Sequence, residues 1–372
     1  LDPMTKLSVS TFCLLLLSLF PGFAQNKAML YVGTYTGKGS DGIYALQFDT
    51  KSGKLAKLHS TKGIVNPTFL TVSSDKKFLY AVSEVGPDGQ VYAYEIQPKT
   101  GKLTELNHVS SGGSGPCHVI LDKDAKWIYA GNYGGGNWSS IPILPNGQLD
   151  TPRQTFQHSG KSVHEGRQEN PHVHSVQLAP NQSDIFVADL GTDTLYHYRK
   201  DAETGLIKRG ESSQKITPGG GPRHTRFHPN GQFLYVIQEL TGRVSVFKYQ
   251  NNQLQFIQEI STLPDGFSGN NSSADLHFSP DGSFLYVSNR FVDTLCIFEV
   301  QPDGRLKQVG QQSVLGKTPR NFTLSPDGQF ILIANQDSDS ITVFKRNKKS
   351  GLLTYQHTFE GISMPVCLQF VP

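Results

Sequence analysis

Seven copies of one short pattern constrain what this chain can fold into. An apolar-aromatic strand recurs as MLYVG (29–33), FLYAV (78–82), WIYAG (127–131), DIFVA (184–188), FLYVI (233–237), FLYVS (284–288) and ILIAN (331–335). Measured between Tyr31, Tyr80, Tyr129, Phe186, Tyr235, Tyr286 and Leu332, the copies stand 49, 49, 57, 49, 51 and 46 residues apart. Most copies are followed by an alternating strand (VYAYEI, TLYHYR, VSVFKY, TLCIFE, ITVFKR), a Gly turn and a polar fourth strand. Four strands per repeat with period-2 alternation predict an all-β, seven-bladed β-propeller of four-stranded antiparallel blades. WD40 repeats are shorter and carry Trp-Asp, whereas neither Trp127 nor Trp138 precedes Asp here.

A further strand precedes the turn in six units, starting at Pro67, Pro116, Val173, Pro222, Ser273 and Pro319. A seventh copy, Pro365–Val371, follows the last unit, and none precedes MLYVG. The C-terminal strand is therefore expected to complete the first blade and close the ring, which removes exposed sheet edges.

Residues 4–24 read as a targeting signal: Met4, Lys6, an apolar run from Phe12 to Phe20, then Gly22-Phe23-Ala24. The run is about half the roughly 20 residues a membrane span needs. A basic start, a short apolar core and a small residue at the cleavage point predict a secretory signal cut after Ala24. Residues 1–3 precede that Met and read as a cloning remnant. The expected mature chain is a single propeller domain, 25–372, exported to a bacterial periplasm and without a membrane span. Cys13 leaves with the signal; Cys117, Cys296 and Cys367 are scattered and make neither a disulfide framework nor a metal motif. With Lys+Arg 34 against Asp+Glu 31, the net charge of +3 excludes nucleic-acid binding driven by backbone electrostatics.

Propeller geometry brings the start of each channel-lining strand and the end of the next strand to one rim. The first position contributes Thr68, Cys117, His174, Arg223, Ala274, Arg320 and Val366, and the second Phe69, His118, Ser175, His224, Asp275, Asn321 and Cys367. The strand ends add Tyr35, Glu84, Tyr133, Leu190, Glu239, Arg290 and Gln336. Blades three to six thus gather His, Arg, Glu239 and Asp275 on one side of one mouth. Ionisable residues aligned at a channel mouth are site candidates, whereas scattered ones are ordinary surface; salt bridges holding the ring together are the bland alternative. The one long spacing falls at 151–172, which holds His158, His164 and His172 and is expected to be a lid or specificity loop beside the mouth, or a solvated surface loop. These histidines and His174 lack standard metal spacing, although His172 and His174 would share a strand face. Arg346 to Lys349 read as a solvated hairpin. Gly134-Gly135-Gly136 opens no helix and is not a phosphate loop, and no Gly-x-Ser-x-Gly elbow is present, so neither a cofactor nor a serine nucleophile is expected.

The segments GGGPRHTRFHPNGQFLYVIQEL (219–240), SADLHFSPDGSFLYVSNR (273–290) and TPRNFTLSPDGQFILIANQ (318–336) resemble the lactonase family of seven-bladed propellers. That family includes bacterial 6-phosphogluconolactonase and fungal carboxy-cis,cis-muconate cyclase. The resemblance spans 28–371 and implies a site of one His, an Arg and a Glu from the next blade, and an Arg from the one after. By motif these fall on His174 in PHVHSV, Arg223 in GPRH, Glu239 in IQEL and Arg290 in SNR, the same four that the rim contains.

Lactone hydrolysis requires an activated water, a stabilised oxyanion and proton delivery to the leaving alkoxide. The expectation is that His174 or Glu239 acts as base and that Arg223 and Arg290 hold the oxyanion and an anionic substrate group. His118, His224, Asp275 and Arg320 would complete the substrate site, with His224 and Asp275 orienting the catalytic groups. Arg223→Ala and Glu239→Gln would leave the fold intact and abolish turnover. An exported chain does not meet a cytoplasmic sugar phosphate, so phosphorylation of the lactone stays open. Two other readings remain: a muconate-type cycloisomerase, which adds no water, and an envelope propeller that binds a ligand without consuming it.

Overall fold

The computed structural model describes residues 26–372, so the expected remnant (1–3) and signal (4–24) lie outside the described residues. Seven antiparallel sheets form the ring, six of them traversed from inner to outer strand in chain order and the first taking its inner strand from the C-terminus. The closing strand is as expected: Pro365–Phe370 pairs with Lys27–Thr34, setting Leu30 against Phe370 and Val32 against Leu368. Blade 4 alone departs from four strands, because its outer strand is broken into Ile207–Arg209 and Gln214–Lys215. Among the described residues, no helix is long and apolar enough to cross a membrane.

The alternation read from sequence becomes the core. Each strand of the MLYVG type is buried on both faces, and the apolar side chains gather in seven clusters, one at each junction between neighbouring blades. The repeat tyrosines add a polar link across the junction. Tyr31, Tyr80, Tyr235 and Tyr286 are fully buried, and each donates its hydroxyl to a turn carbonyl of the next blade, namely Gly101, Gly147, Gly304 and Gly351, at 2.8, 3.1, 2.6 and 2.8 Å. A hydroxyl costs free energy when buried alone, so this repeated pairing explains why the position is Tyr and not only an apolar residue.

The inner strands share a feature that the sequence pattern does not reveal. In six of the seven, register shifts by one residue at the mouth end, within Pro116–His118, Val173–Ser175, Pro222–Thr225, Ser273–Leu276, Pro319–Asn321 and opposite Gly33–Thr34. A bulge re-aims a side chain out of the ladder. The extra residues include Cys117, His174, Arg223 and Arg320, the positions that the rim alignment selected.

Arg346 corrects the reading of 346–349 as wholly solvated. It is 5% exposed, and its Nε donates to the carbonyl of Gly328 at 2.7 Å. The alternation of the strand Ser340–Arg346 continues one residue further than the charge pattern suggests.

Candidate active site

Glu239 follows the second strand of blade 5 (Phe233–Gln238) and is 3% exposed. Three guanidiniums surround its carboxylate. Arg223 Nε donates to Oε2 at 2.9 Å and Arg290 Nη2 lies 3.0 Å from the same oxygen, while Arg167 Nη2 donates to Oε1 at 2.6 Å. His174 Nε2 stands 4.0 Å from Oε2. The structure therefore brings together the four residues expected from blades 4, 5 and 6.

Each arginine has a second anchor. Arg223 Nη1 donates to the Ala274 carbonyl at 2.5 Å and lies 3.2 Å from His224 Nε2, which accepts. That contact places the His224 proton on Nδ1, which donates to Asp275 Oδ1 at 2.9 Å. Asp275 Oδ2 meets His277 Nε2 at 2.9 Å and accepts from Asn321 Nδ2 at 2.5 Å. Arg290 donates through Nε to the Ser272 carbonyl and through Nη2 to its hydroxyl, at 2.9 and 2.6 Å. His224 and Asp275 thus stand behind Arg223 along the channel, not beside Glu239. His118 is further removed from the ion pairs, packed in tilted contact with Phe69 at 4.5 Å and 5.4 Å from the His224 ring.

The electrostatics separate the roles. Burial alone would raise the Glu239 carboxyl, but Arg290, Arg223 and Arg167 hold it well below the usual carboxylate range. Burial lowers His174 well below the ordinary imidazole value, and Arg223, His224 and Arg320 push it the same way. His224 is lowered to about 4 by burial and Arg223, against the pull of Asp275. Glu239 is thereby a permanent anion with both oxygens occupied, and His174 a neutral ring of low basicity. Both are weakened as proton acceptors. The Cys117 thiol, 3.6 Å from His174 Nδ1, is pushed up by burial and is an inert neighbour and not a nucleophile.

Arg320, the seventh-blade arginine, lies on the other side of the mouth. Its guanidinium sits 5.4 Å over the Tyr35 ring, and Tyr35, Glu84 and Glu239 together favour its charge against burial. Four guanidiniums therefore face two carboxylates, Glu239 and Glu84, at one mouth.

Arg167 is the residue that sequence reasoning missed. It comes from the 151–172 insertion, and its Nη2 also donates to the Tyr133 hydroxyl at 3.2 Å. The insertion stands beside the mouth, as a specificity loop would, but it is a fixed wall more than a lid. Gln168, fully buried, donates to the Leu190 carbonyl and to Asp193 Oδ1 at 2.8 and 2.7 Å, and Ser162 donates to Asp193 Oδ2 at 2.6 Å. A Cβ on Gly191 would lie 1.8 Å from the Asn170 carbonyl oxygen, so only glycine permits this close seat. The insertion histidines serve the same attachment. His158 is buried between Asp189 (2.7 Å) and the Tyr198 hydroxyl (2.9 Å), and His172 stacks on Tyr133 at 4.4 Å. His164 turns the loop through its backbone, whose N–H donates to Gln168 Oε1 at 3.1 Å. Among the described residues, no group of His, Cys, Asp and Glu is arranged to hold a metal ion.

Comparison with known proteins agrees with this architecture. The family described as Lactonase, 7-bladed beta-propeller, matches residues 29–370. A 6-phosphogluconolactonase of Bacillus subtilis is 35% identical over 350 residues, covering 93% of this chain and 99% of the relative. The crystal structure of a putative 6-phosphogluconolactonase from Bacteroides fragilis superposes with a TM-score of 0.90 at 33% identity, over 95% of this chain and 100% of the other. A periplasmic gluconolactonase of Pseudomonas aeruginosa superposes with a TM-score of 0.88 at 34% identity, over 93% and 99% of the two chains. The chain belongs to the lactonase family of seven-bladed β-propellers.

Proposed function

We propose that the chain hydrolyses an anionic or polyhydroxylated sugar lactone at the mouth formed by His174, Arg223, Glu239 and Arg290. The observation that carries this reading is the excess of guanidinium over carboxylate in a buried setting, where each charge acts at low dielectric. Arg223 and Arg290 face the developing oxyanion and any carboxylate or phosphate of the substrate. Glu239 keeps these guanidiniums in place between turnovers. The neutral His174 ring offers Nε2 to a substrate hydroxyl, and Arg320 completes the cationic wall. His224 and Asp275 fix the plane of Arg223 from behind, and His118 lines the channel beneath.

The amino-terminal pattern supports export after cleavage at Ala24 to leave a single domain, 25–372, in a bacterial periplasm. The name of the Pseudomonas aeruginosa relative, a periplasmic gluconolactonase, is in keeping with that location. An unphosphorylated lactone is the substrate this location makes available.

The test is the loss of glucono-δ-lactone and of its 6-phosphate above the spontaneous rate, with purified 25–372 beside Arg223→Ala. Acceleration that the variant lacks, with a product one water heavier than the substrate, supports the reading. Equal rates with and without protein for both lactones overturn it.

A further inference from the structure

Hydrolysis needs a group to take the proton of the attacking water, and the groups around Glu239 are poorly suited to it. Both Glu239 oxygens are held by guanidiniums, and His174 is buried and kept neutral at low basicity. The mouth has a second carboxylate. Glu84 follows the second strand of blade 2, whereas Glu239 follows that of blade 5, so the two stand on opposite sides of a seven-membered ring.

The setting of Glu84 differs in kind from that of Glu239. It is half-buried, and its carboxylate is bound by neutral hydroxyls: Tyr35 donates to Oε1 at 3.1 Å and Thr68 donates to Oε2. Among the described residues it forms no ion pair, and each oxygen keeps a lone pair beyond its single donor. Arg320, whose charge Glu84 favours, lies over the Tyr35 ring and makes no ion pair with the carboxylate. The backbone is fixed as well. Glu84 N–H donates to the Asn66 carbonyl at 3.0 Å, and the Asn66 side chain returns a bond to the Glu84 carbonyl at 3.3 Å. Thr68 also lines a cavity of about 10 Å³ with Cys117, Arg223, His224 and Arg320, a space on the scale of one water. The Glu84 carboxylate is thus linked through the Thr68 hydroxyl to a water-sized space, which the Arg223 and Arg320 guanidinium side chains also line.

We propose that Glu84 is the proton acceptor of the reaction, aimed by Tyr35 and Thr68, and that Glu239 serves only to hold the guanidiniums. The inference rests on the lactonase reading of this mouth. The water oxygen bonds to the lactone carbonyl carbon as one of its protons passes to Glu84, and the carbonyl electron pair moves onto the oxyanion held by Arg223 and Arg290. As that pair returns, the ring C–O bond breaks and Glu84 gives its proton to the leaving oxygen. The product acid then ionises to solvent, releasing one proton per turnover.

The experiment compares steady-state hydrolysis of glucono-δ-lactone by the wild type, Glu84→Gln, Glu84→Ala and Glu239→Ala, each with and without added formate. Glu84→Gln is expected to lower kcat by about 10²- to 10⁴-fold, the usual contribution of a general base, with KM within about threefold of wild type. Formate is expected to restore at least tenfold of the lost rate to Glu84→Ala and nothing to Glu239→Ala, since only the first lacks a proton acceptor. A structural role for Glu84 would lower the melting temperature without formate rescue. A Glu84→Gln kcat within threefold of wild type overturns the proposal alone, as does failure of formate to act on Glu84→Ala. A wild type with no lactonase activity overturns the functional reading beneath it.

Discussion

Arg167 Nη2 meets Glu239 Oε1 at 2.6 Å, joining the longest loop between blades to a buried carboxylate of the mouth. The other two guanidiniums on Glu239 come from strands and are almost fully buried, whereas the Arg167 side chain is 37% exposed. It is therefore the guanidinium that can leave Glu239 for a substrate anion at least cost. Arg167→Ala is expected to raise KM for an anionic lactone about tenfold or more, a loss on the scale of one charge-assisted hydrogen bond, and to leave kcat within about threefold. Steady-state kinetics on glucono-δ-lactone and its 6-phosphate check this, and the larger effect is expected on the phosphorylated substrate.

Arg223 and Glu239 are not interchangeable in what their loss does. Arg223→Ala removes an oxyanion donor, so kcat is expected to fall about 10²- to 10³-fold. Glu239 would still keep two guanidiniums, which limits the damage to the fold. Glu239→Gln leaves three buried or half-buried guanidiniums facing one another, and breaking a buried pair this way costs about 3–5 kcal/mol. Denaturant midpoints for the two variants are expected to rank Glu239→Gln as the less stable. The fold is thus expected to tolerate Arg223→Ala better than Glu239→Gln.

The buried imidazoles make stability depend on pH with a definite sign. His224 is lowered from 6.5 to about 4 on folding, and His118 and His174 move the same way because burial disfavours the charged ring. In the window between those values the unfolded chain binds more protons than the folded one. Stability is therefore complete above the unfolded histidine range and is lost as pH falls from 6.5 towards 4, by about 3 kcal/mol from His224 alone. Glu239 and Asp275, both lowered, add a further loss below the ordinary carboxylate range. Melting temperatures across this pH interval, at constant ionic strength, check the slope.

The blade-to-blade tyrosines allow a controlled comparison. Tyr235→Phe deprives the Gly304 carbonyl of its partner and is expected to cost about 1–2 kcal/mol without changing turnover. Tyr129 holds the same repeat position, but its buried hydroxyl has no partner among the described residues. Tyr129→Phe is expected to be neutral or slightly stabilising. Equal losses in the two variants would mean that the Tyr235 bond contributes nothing.

How much of this was legible in the sequence depends on the range over which each feature is encoded. The blades were, because the strand alternation is local and repeats seven times, so that Tyr31 and Tyr286 announce the same environment. His174, Arg223, Glu239 and Arg290 were also legible, because a repeat turns alignment into spatial position. Arg167 was hidden for the same reason: an insertion has no aligned counterpart, and only its attachment through Gln168 and Gly191 carries it to the mouth. The difference between Glu84 and Glu239 was equally hidden, since both hold the same aligned position and differ only in whether hydroxyls or guanidiniums reach them. Arg346 is not legible as a buried residue, because a charge in a basic run does not by itself report exposure.

The bulges at the mouth ends of the inner strands have a consequence for how such a site changes over time. A residue in a regular ladder is tied to its cross-strand neighbour, so exchanging it disturbs two strands. A residue set out by a bulge, as His174, Arg223 and Arg320 are, contacts the channel while the ladder resumes behind it. The rim is thereby partly uncoupled from the pairing that holds the ring closed, and substitutions there can accumulate one at a time. A scaffold so arranged can acquire a new specificity through single exchanges at its bulged positions, each tested by selection against an unchanged frame.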